Sequence, residues 1–485
     1  MSKFNITTSI FYRWRYWIGY SVITVSFAAL LFIAGFLIPG EVSMSEIGSV
    51  VASHAMSTGN LLHTDLTNAP FYLLQHGTLT LFGATLLGIK LPALILGTVT
   101  ALCMFFLLRR WFSPGIAVLA SMLVITTGQF LFLTQSGSTG ILYLFWPTVI
   151  LLLSTLVANR TRGHGVWKIL LFVAAGLSLY TPLSSYVLLA IISAAILHPH
   201  LRHVIRRLPR WRFALGFAAM LVVISPLIYV ALQSPQIALS LLGVPLEMPD
   251  LLENGTVLLS QYFGFMSFGT KSVILPVFGL ASSLLILYGL LRCIRTYSTV
   301  QSYVILSWAI LLLPILVLNP QFVSIMFVPQ LLLLASGLSG VLRRWYKLFP
   351  KNPYARVAGL VPLIILVGGM ALFGLERYAY AYRYAPETMQ NFTRDVVVIP
   401  DVPTLVVSEQ ELPAYQAIAA YKNNLVVSTT VPQSGRYAAT SNAHNASATP
   451  TFVVASNRRD DGVRFYIYNT SVDAIIDEVQ NTEGE

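Results

Sequence analysis

Long apolar runs alternate with short polar breaks along most of the chain. They fall at 20–39, 91–108, 115–133, 140–157, 166–182, 183–199, 213–232, 272–291, 302–318, 323–340 and 357–375. Each approaches the roughly 20 residues a helix needs to cross a bilayer. None shows the apolar–polar alternation of a barrel strand. Lipid admits only helices and closed barrels, because every backbone group must be satisfied without water. The pattern therefore predicts an all-α polytopic membrane protein with about eleven transmembrane helices.

One further stretch, 70–89, "PFYLLQHGTLTLFGATLLGI", is apolar enough to cross, but only Lys90 separates it from the next run. Counting it would reverse the side of every later loop, so it is read as an interfacial or re-entrant helix. Past residue 375 the pattern changes. "DVVVIP", "TLVVSE", "NLVVSTTV", "TFVVAS" and "RFYIYN" are short β-branched or aromatic runs that predict strands. "SEQELPAYQAIAAYKNN" predicts a helix beginning near Ser408 or Glu409. Residues 432–450 read as a loop and the last dozen as disordered. The expected plan is a cytoplasmic N-terminus at 1–19, a transmembrane domain at 20–375 and a small α/β extracytoplasmic domain at 376–485. No internal repeat is visible, so the inverted halves of many transporters find no support.

Composition agrees. Hydrophobic residues make up 56% of the chain and charged residues 10%, with mean hydropathy +0.72. Soluble domains carry about 25% charged residues. The net charge of +11 is explained by topology. With the N-terminus inside, the basic clusters around Arg13, Arg109, Arg160, Arg202–Arg212, Arg292 and Arg343–Arg356 all fall in cytoplasmic loops, where positive charge collects. Before the last span the acids are Glu41, Glu46, Asp65, Glu247, Asp250 and Glu253, all on the outer side. Nucleic acid is therefore not an expected partner. Membrane lipids are, and the plasma membrane is the expected location. Cys103 and Cys293 form neither a disulfide framework nor a zinc motif.

The outer face gathers three segments, 40–90, 233–271 and the tail. The first holds the scarce titratable groups. "SEIGSVVASHAM" reads as a short surface helix, with Ser45 as N-cap and Ser45, Ser49 and Ser53 on one face. Glu46 is either a general base at the mouth of the bundle or an acid favourable to the helix dipole. Asp65 is either a second catalytic carboxylate or a turn residue. His54, His63 and His76 lack metal-ligand spacing and are either interfacial or substrate contacts. Lys90 and Lys271 either snorkel to the interface or meet a lipid phosphate. There is no P-loop, dinucleotide fingerprint, HExxH or GxSxG; "SGSTG" at 136–140 does not match the last. The apolar spans contain no Asp or Glu, which counts against an ion-coupled transporter.

Residues 39–110 resemble the polyprenyl-phosphate-sugar-dependent GT-C glycosyltransferases, the superfamily of aminoarabinose transferases and protein O-mannosyltransferases. That family has a pattern like D-E-x-R-Y-A-E-I-A-R-E-M, then Gly, then K-P-P-L-Y-Y, a surface helix, and R-L-P-S-A-L. This chain has "SEIGSVVASHAM", Gly59, "NAPFYLL" and "KLPALILG". "GLSLYTPLSSYVLL" resembles the family's G-L-x-x-x-T-K-G, and "NPQFVSIMFVPQLLLL" its R-Y-L-L-P-x-x-P. The chain departs from the pattern in five places: Ser45 stands for the first acid, Asn68 for the lysine, Ala69 for the first proline and Gln321 for the arginine, and "TQSGSTG" lacks the Asp common in the family's second outer loop.

The resemblance implies an inverting transferase. It would move a sugar from a polyprenyl-phosphate donor to a lipid, glycan or protein acceptor on the outer face. Glu46 is then the base and Asp65 its partner, with His54, His63, Asn68, Tyr72, His76, Lys271 and Gln321 as substrate contacts. No metal or other cofactor is implied, and a divalent cation has no indicated site. The alternatives are a lipid or solute transporter and a non-catalytic scaffold on the same fold.

Overall fold

The computed structural model describes residues 10–37, 42–58, 65–159, 164–206, 210–263, 278–349, 352–384, 392–393, 398–422, 424–432, 434–444, 449–455 and 464–470. The first half runs α1 (Ile10–Leu37), β1 (Val42–Ser43), α2 (Met44–Thr58), α3 (Ala69–Phe82), α4 (Leu86–Trp111), α5 (Pro114–Thr126), α6 (Gly128–Gln135), α7 (Leu142–Ala158), α8 (His164–Ser178), α9 (Ser184–Leu197) and α10 (Pro199–Arg206). There follow α11 (Arg210–Gln233), α12 (Pro235–Leu242), α13 (Leu251–Phe263), α14 (Leu280–Arg295), α15 (Val300–Leu318), a 3-10 turn (Pro320–Met326), α16 (Phe327–Leu348), α17 (Pro353–Ala358) and α18 (Leu360–Tyr384). The C-terminal part holds β2 (Phe392–Thr393), β3 (Thr404–Val406), α19 (Leu412–Ala419), β4 (Val426–Ser428), β5 (Gly435–Thr440), β6 (Phe452–Ala455) and β7 (Arg464–Thr470).

Among the described residues, six helices are long and apolar enough to cross a membrane, or seven if one bent pair counts as a single span. The chain is a multi-pass membrane protein. The expected runs at 166–182 and 183–199 yield shorter apolar helices, α8 and α9. The stretch 264–277, including the start of the run at 272–291, lies outside the described residues.

The run at 115–133 is not one straight helix. α5 and α6 meet at 60°. Thr127 is extended (φ −68°, ψ 130°), and the Thr126 and Thr127 hydroxyls donate to the Met122 and Leu123 carbonyls at 2.8 and 2.6 Å. Side-chain hydroxyls thus satisfy carbonyls at the break, which is how a broken helix is tolerated in a bundle. α18 crosses here: a Cβ on Gly374 would sit 2.3 Å from the Thr126 carbonyl oxygen.

The interfacial stretch forms α3, a helix separate from α4. Gly83 turns the chain between them at φ +69°, where a side chain would be strained. α4 begins at Leu86, with the Thr85 hydroxyl accepting from the Gly88 N–H. Lys90 therefore lies inside this helix and is buried, where the sequence suggests a lysine at an exposed outer end.

The C-terminal sheet has the order β4-β3-β5-β7-β6. β3 runs parallel to β4 and β5, and β7 runs antiparallel to β5 and β6. α19 makes the crossover that parallel pairing of β3 with β4 requires. The central strand β5 falls inside 432–450, which reads as a loop in sequence. "GRYAAT" has weak strand propensity, but pairing on both edges and full burial of Ala438 and Ala439 override it. One sheet face (Leu405, Ala438, Phe465, Ile467) shares a core with Tyr415 and Ile418 of α19, Val50 of α2, Leu79 of α3 and Ile89 of α4. β1 pairs with β2, so residues 42–43 and 392–393 are also stitched together.

Candidate active site

The first outer segment is organised around Glu46. "Ser43-x-x-Glu46" is a capping box: the Glu46 N–H donates to the Ser43 hydroxyl at 3.3 Å, and the Ser43 N–H donates to Glu46 Oε2 at 2.6 Å. Ser43, not Ser45, therefore caps α2, and the S-x-x-E spacing signals it in the sequence. The other oxygen, Oε1, accepts the Gly137 N–H at 2.5 Å and lies 3.7 Å from Lys90 Nζ. Glu46 is 1% exposed. The sequence reading leaves Glu46 as a base at the mouth of the bundle or as an acid favourable to the helix dipole. In the structure both of its oxygens are engaged, and the carboxylate ties α2 to α4 and to the turn after α6.

Gln75 completes the joint and carries no sequence motif. Its carbonyl oxygen accepts from Ser49 at 2.5 Å and Ser53 at 2.7 Å. Its amide donates to the Gly137 carbonyl at 2.8 Å and the Ile89 carbonyl at 3.2 Å. The serine stripe of α2 thus faces a partner on α3, while Ser45 is exposed. Gly137 fits this corner because a Cβ there would lie 2.5 Å from the Ile89 carbonyl oxygen.

Asp65 is the contrasting acid. It is exposed, and its Oδ1 accepts from the Thr67 N–H at 2.8 Å and the Thr67 hydroxyl at 2.7 Å, an Asx-type turn. Oδ2 makes no hydrogen bond among the described residues. Tyr72 lies close by on α3; burial, and then the Asp65 charge, push its phenol above the ordinary tyrosine value. Tyr143 of α7 meets Phe322 edge-on at 5.8 Å.

Asn68 stands at φ +60° before α3, and its N–H donates to the Tyr180 carbonyl at 2.7 Å. Asn68 Oδ1, Thr181 Oγ1 and Ser184 Oγ are buried without a hydrogen-bond partner among the described residues. Thr181 and Ser184 belong to the segment that resembles the family's G-L-x-x-x-T-K-G, but nothing in their spacing marks them as polar groups near Asn68.

The remaining candidates are scattered. His76 Nδ1 pairs with the Tyr421 hydroxyl at 2.7 Å, and the His54 ring meets Tyr421 edge-on at 5.9 Å. Both histidines thus contact the C-terminal part, where the sequence suggests substrate contacts. Gln321 is exposed on the turn before α16. His63 and Lys271 lie outside the described residues. No cluster of three potential metal ligands occurs among the described residues.

The comparisons with known proteins bear on this arrangement. Residues 68–230, about a third of the chain, match the family model described as dolichyl-phosphate-mannose-protein mannosyltransferase. The structure of ArnT from Cupriavidus metallidurans bound to undecaprenyl phosphate is similar, with a TM-score of 0.53 and 14% identity. That match covers 93% of this chain and 98% of ArnT. The oligosaccharyltransferase of Archaeoglobus fulgidus, tethered to an acceptor peptide, gives a TM-score of 0.53 and 14% identity, covering 85% of this chain and 64% of that enzyme. The archaeal enzyme in complex with an inhibitory peptide and a dolichol-phosphate gives 0.50 and 13%, covering 86% and 65%. The chain thus spans less than two thirds of the length of the archaeal enzyme. No curated protein sequence matches. The fold is that of the GT-C glycosyltransferases, and the resemblance read from the sequence holds.

Proposed function

We propose that the chain is a membrane glycosyltransferase using a polyprenyl-phosphate sugar as donor and a lipid, glycan or protein as acceptor. In the proposed step an acceptor hydroxyl or amine attacks the anomeric carbon from the face opposite the phosphate. The bond from carbon to phosphate oxygen breaks, polyprenyl phosphate leaves, and the configuration inverts. The acceptor proton goes to a carboxylate.

The observation that supports this reading is the division of labour between the two acids. Asp65 is exposed with one oxygen uncommitted beside Tyr72, whereas Glu46 is buried and fully bonded. Asp65 is therefore the base in this proposal and Glu46 a positioning residue that holds the loop. The unpartnered Asn68, Thr181 and Ser184 oxygens would accept sugar hydroxyls, since buried polar atoms without partners call for a ligand or water. A bundle of eleven spans, with the N-terminus inside and the C-terminal α/β part outside, follows from the charge distribution and belongs to the same proposal.

The test is reconstitution in liposomes with radiolabelled polyprenyl-phosphate sugars and a panel of lipid and peptide acceptors. Wild type is expected to transfer, and Asp65→Asn to lose at least about a hundredfold, the scale of general-base catalysis. Transfer by Asp65→Asn at the wild-type rate would remove Asp65 as base. No transfer from any donor by folded wild type would favour a non-catalytic scaffold.

A further inference from the structure

Asn-x-Ser/Thr triplets occur at Asn5, Asn159, Asn254, Asn391, Asn445 and Asn469. Such a triplet is the acceptor of N-linked glycans. Its spacing suits an extended chain. Side chains two apart share a face on a strand, so the hydroxyl can meet the asparagine amide, whereas on a helix they point about 200° apart. The charge distribution puts Asn5 and Asn159 on the inner side and the other four on the outer. Of those four, Asn254 and Asn469 belong to the described residues.

Asn254 is closed. It lies in the first turn of α13, half-buried. Its Nδ2 donates to the Val317 and Leu318 carbonyls at the end of α15, at 3.0 and 3.2 Å. The Thr256 hydroxyl turns back onto the Glu253 carbonyl at 2.7 Å. A glycan on Asn254 would replace one donated hydrogen and wedge α13 away from α15.

Asn469 is open. It is exposed near the end of β7, in extended backbone paired with Arg436 of β5. Its side chain makes no hydrogen bond among the described residues. The corner around it has room. Ser434 and Arg436 are exposed, and a Cβ on Gly435, the partner of Thr470, would meet nothing within 4 Å.

We propose that Asn469 carries an N-linked glycan and that Asn254 does not. In the step, Asn469 Nδ2 bonds to the anomeric carbon of a lipid-phosphate-linked oligosaccharide. The bond from that carbon to the phosphate oxygen breaks, and the lipid phosphate leaves with the electron pair. One amide proton passes to a base of the transferase that acts on this chain. The site lies on the C-terminal sheet, separate from the Asp65 corner. It rests on the outward placement of the C-terminal part in the proposed function.

Peptide mapping by mass spectrometry, on the full chain purified from its own cell membranes, tests this. Trypsin cuts after Arg464 and frees residues 465–485, which hold Asn469 as their one such triplet. Wild type is expected to show this peptide with a glycan mass added. Asn469→Gln is expected to show it bare, and the peptide holding Asn254 is expected bare in both. Ser434→Cys, labelled with a membrane-impermeant maleimide in sealed right-side-out vesicles, reports the side of the C-terminal part independently. A bare Asn469 peptide in wild type overturns the proposal. Labelling of Ser434→Cys from outside then leaves the topology standing, and absence of labelling shows that the topology has failed with it. A glycan on Asn254 overturns the selection of Asn469 by the structure. A glycan on Asn159, which is exposed at the end of α7, overturns both the proposal and the topology.

Discussion

Replacing Glu46 by alanine removes one carboxylate that three groups share. The Ser43 and Gly137 N–H donors lose their acceptor, at about 1–3 kcal/mol for each buried unpaired donor. Lys90, buried in α4, loses its counter-charge 3.7 Å away. Breaking a buried ion pair by removing one member costs about 3–5 kcal/mol. These terms overlap, because water and neighbouring side chains relax into the gap, so the expected loss is about 3–5 kcal/mol in all.

Glu46→Ala combined with Lys90→Met should recover part of this, since the buried charge that faced Glu46 is removed with it. The assay is reversible unfolding in mixed micelles titrated with dodecyl sulfate, followed by tryptophan fluorescence, as a double-mutant cycle. A coupling of at least about 1 kcal/mol between the two positions is expected. If Glu46→Ala costs less than about 1 kcal/mol and shows no coupling to Lys90, yet abolishes sugar transfer, then Glu46 serves the chemistry and the structural account is wrong.

Three further outcomes are expected. Gln75→Leu should destabilise by about 2–3 kcal/mol in the same assay, because the Ser49 and Ser53 hydroxyls and the Gly137 carbonyl lose their shared partner; a neutral result would mean water replaces the amide. Tyr421→Phe should cost about 1 kcal/mol through the lost bond to His76 and speed proteolytic release of the C-terminal part, read by gel after brief protease exposure. Tyr72 should titrate above an ordinary phenol, and Asp65→Asn should lower its midpoint part of the way, since burial is the larger cause and the Asp65 charge the smaller. Carbon-13 NMR of ring-labelled tyrosine, assigned with Tyr72→Phe, reads this directly, and an unchanged midpoint in Asp65→Asn would separate the two groups.

The apolar runs, the basic loops and the change of pattern near residue 375 are local properties, and a linear reading recovers them. Helices that must satisfy their own backbone in lipid advertise themselves by length and apolarity alone. The strands β3, β4, β6 and β7 are visible for a similar reason: β-branched and aromatic runs mark them. β5 is invisible because its residues are small and its strand character comes from neighbours on both sides. The bend at Thr127 is hidden in the same way, since threonine hydroxyls can satisfy backbone in a straight helix or a broken one.

The acids show the division most sharply. By itself, the sequence determined that Glu46 and Asp65 both belong to one polar segment after the first apolar run. It also determined that this segment resembles a glycosyltransferase loop lacking one acid. Only the tertiary structure decided which carboxylate is committed. Gly137 is 91 residues from Glu46 along the chain, and Lys90 approaches from another helix. Whether an acid is free to take a proton depends on the donors that surround it in space. Those donors come from segments whose spacing in sequence carries no trace of the contact.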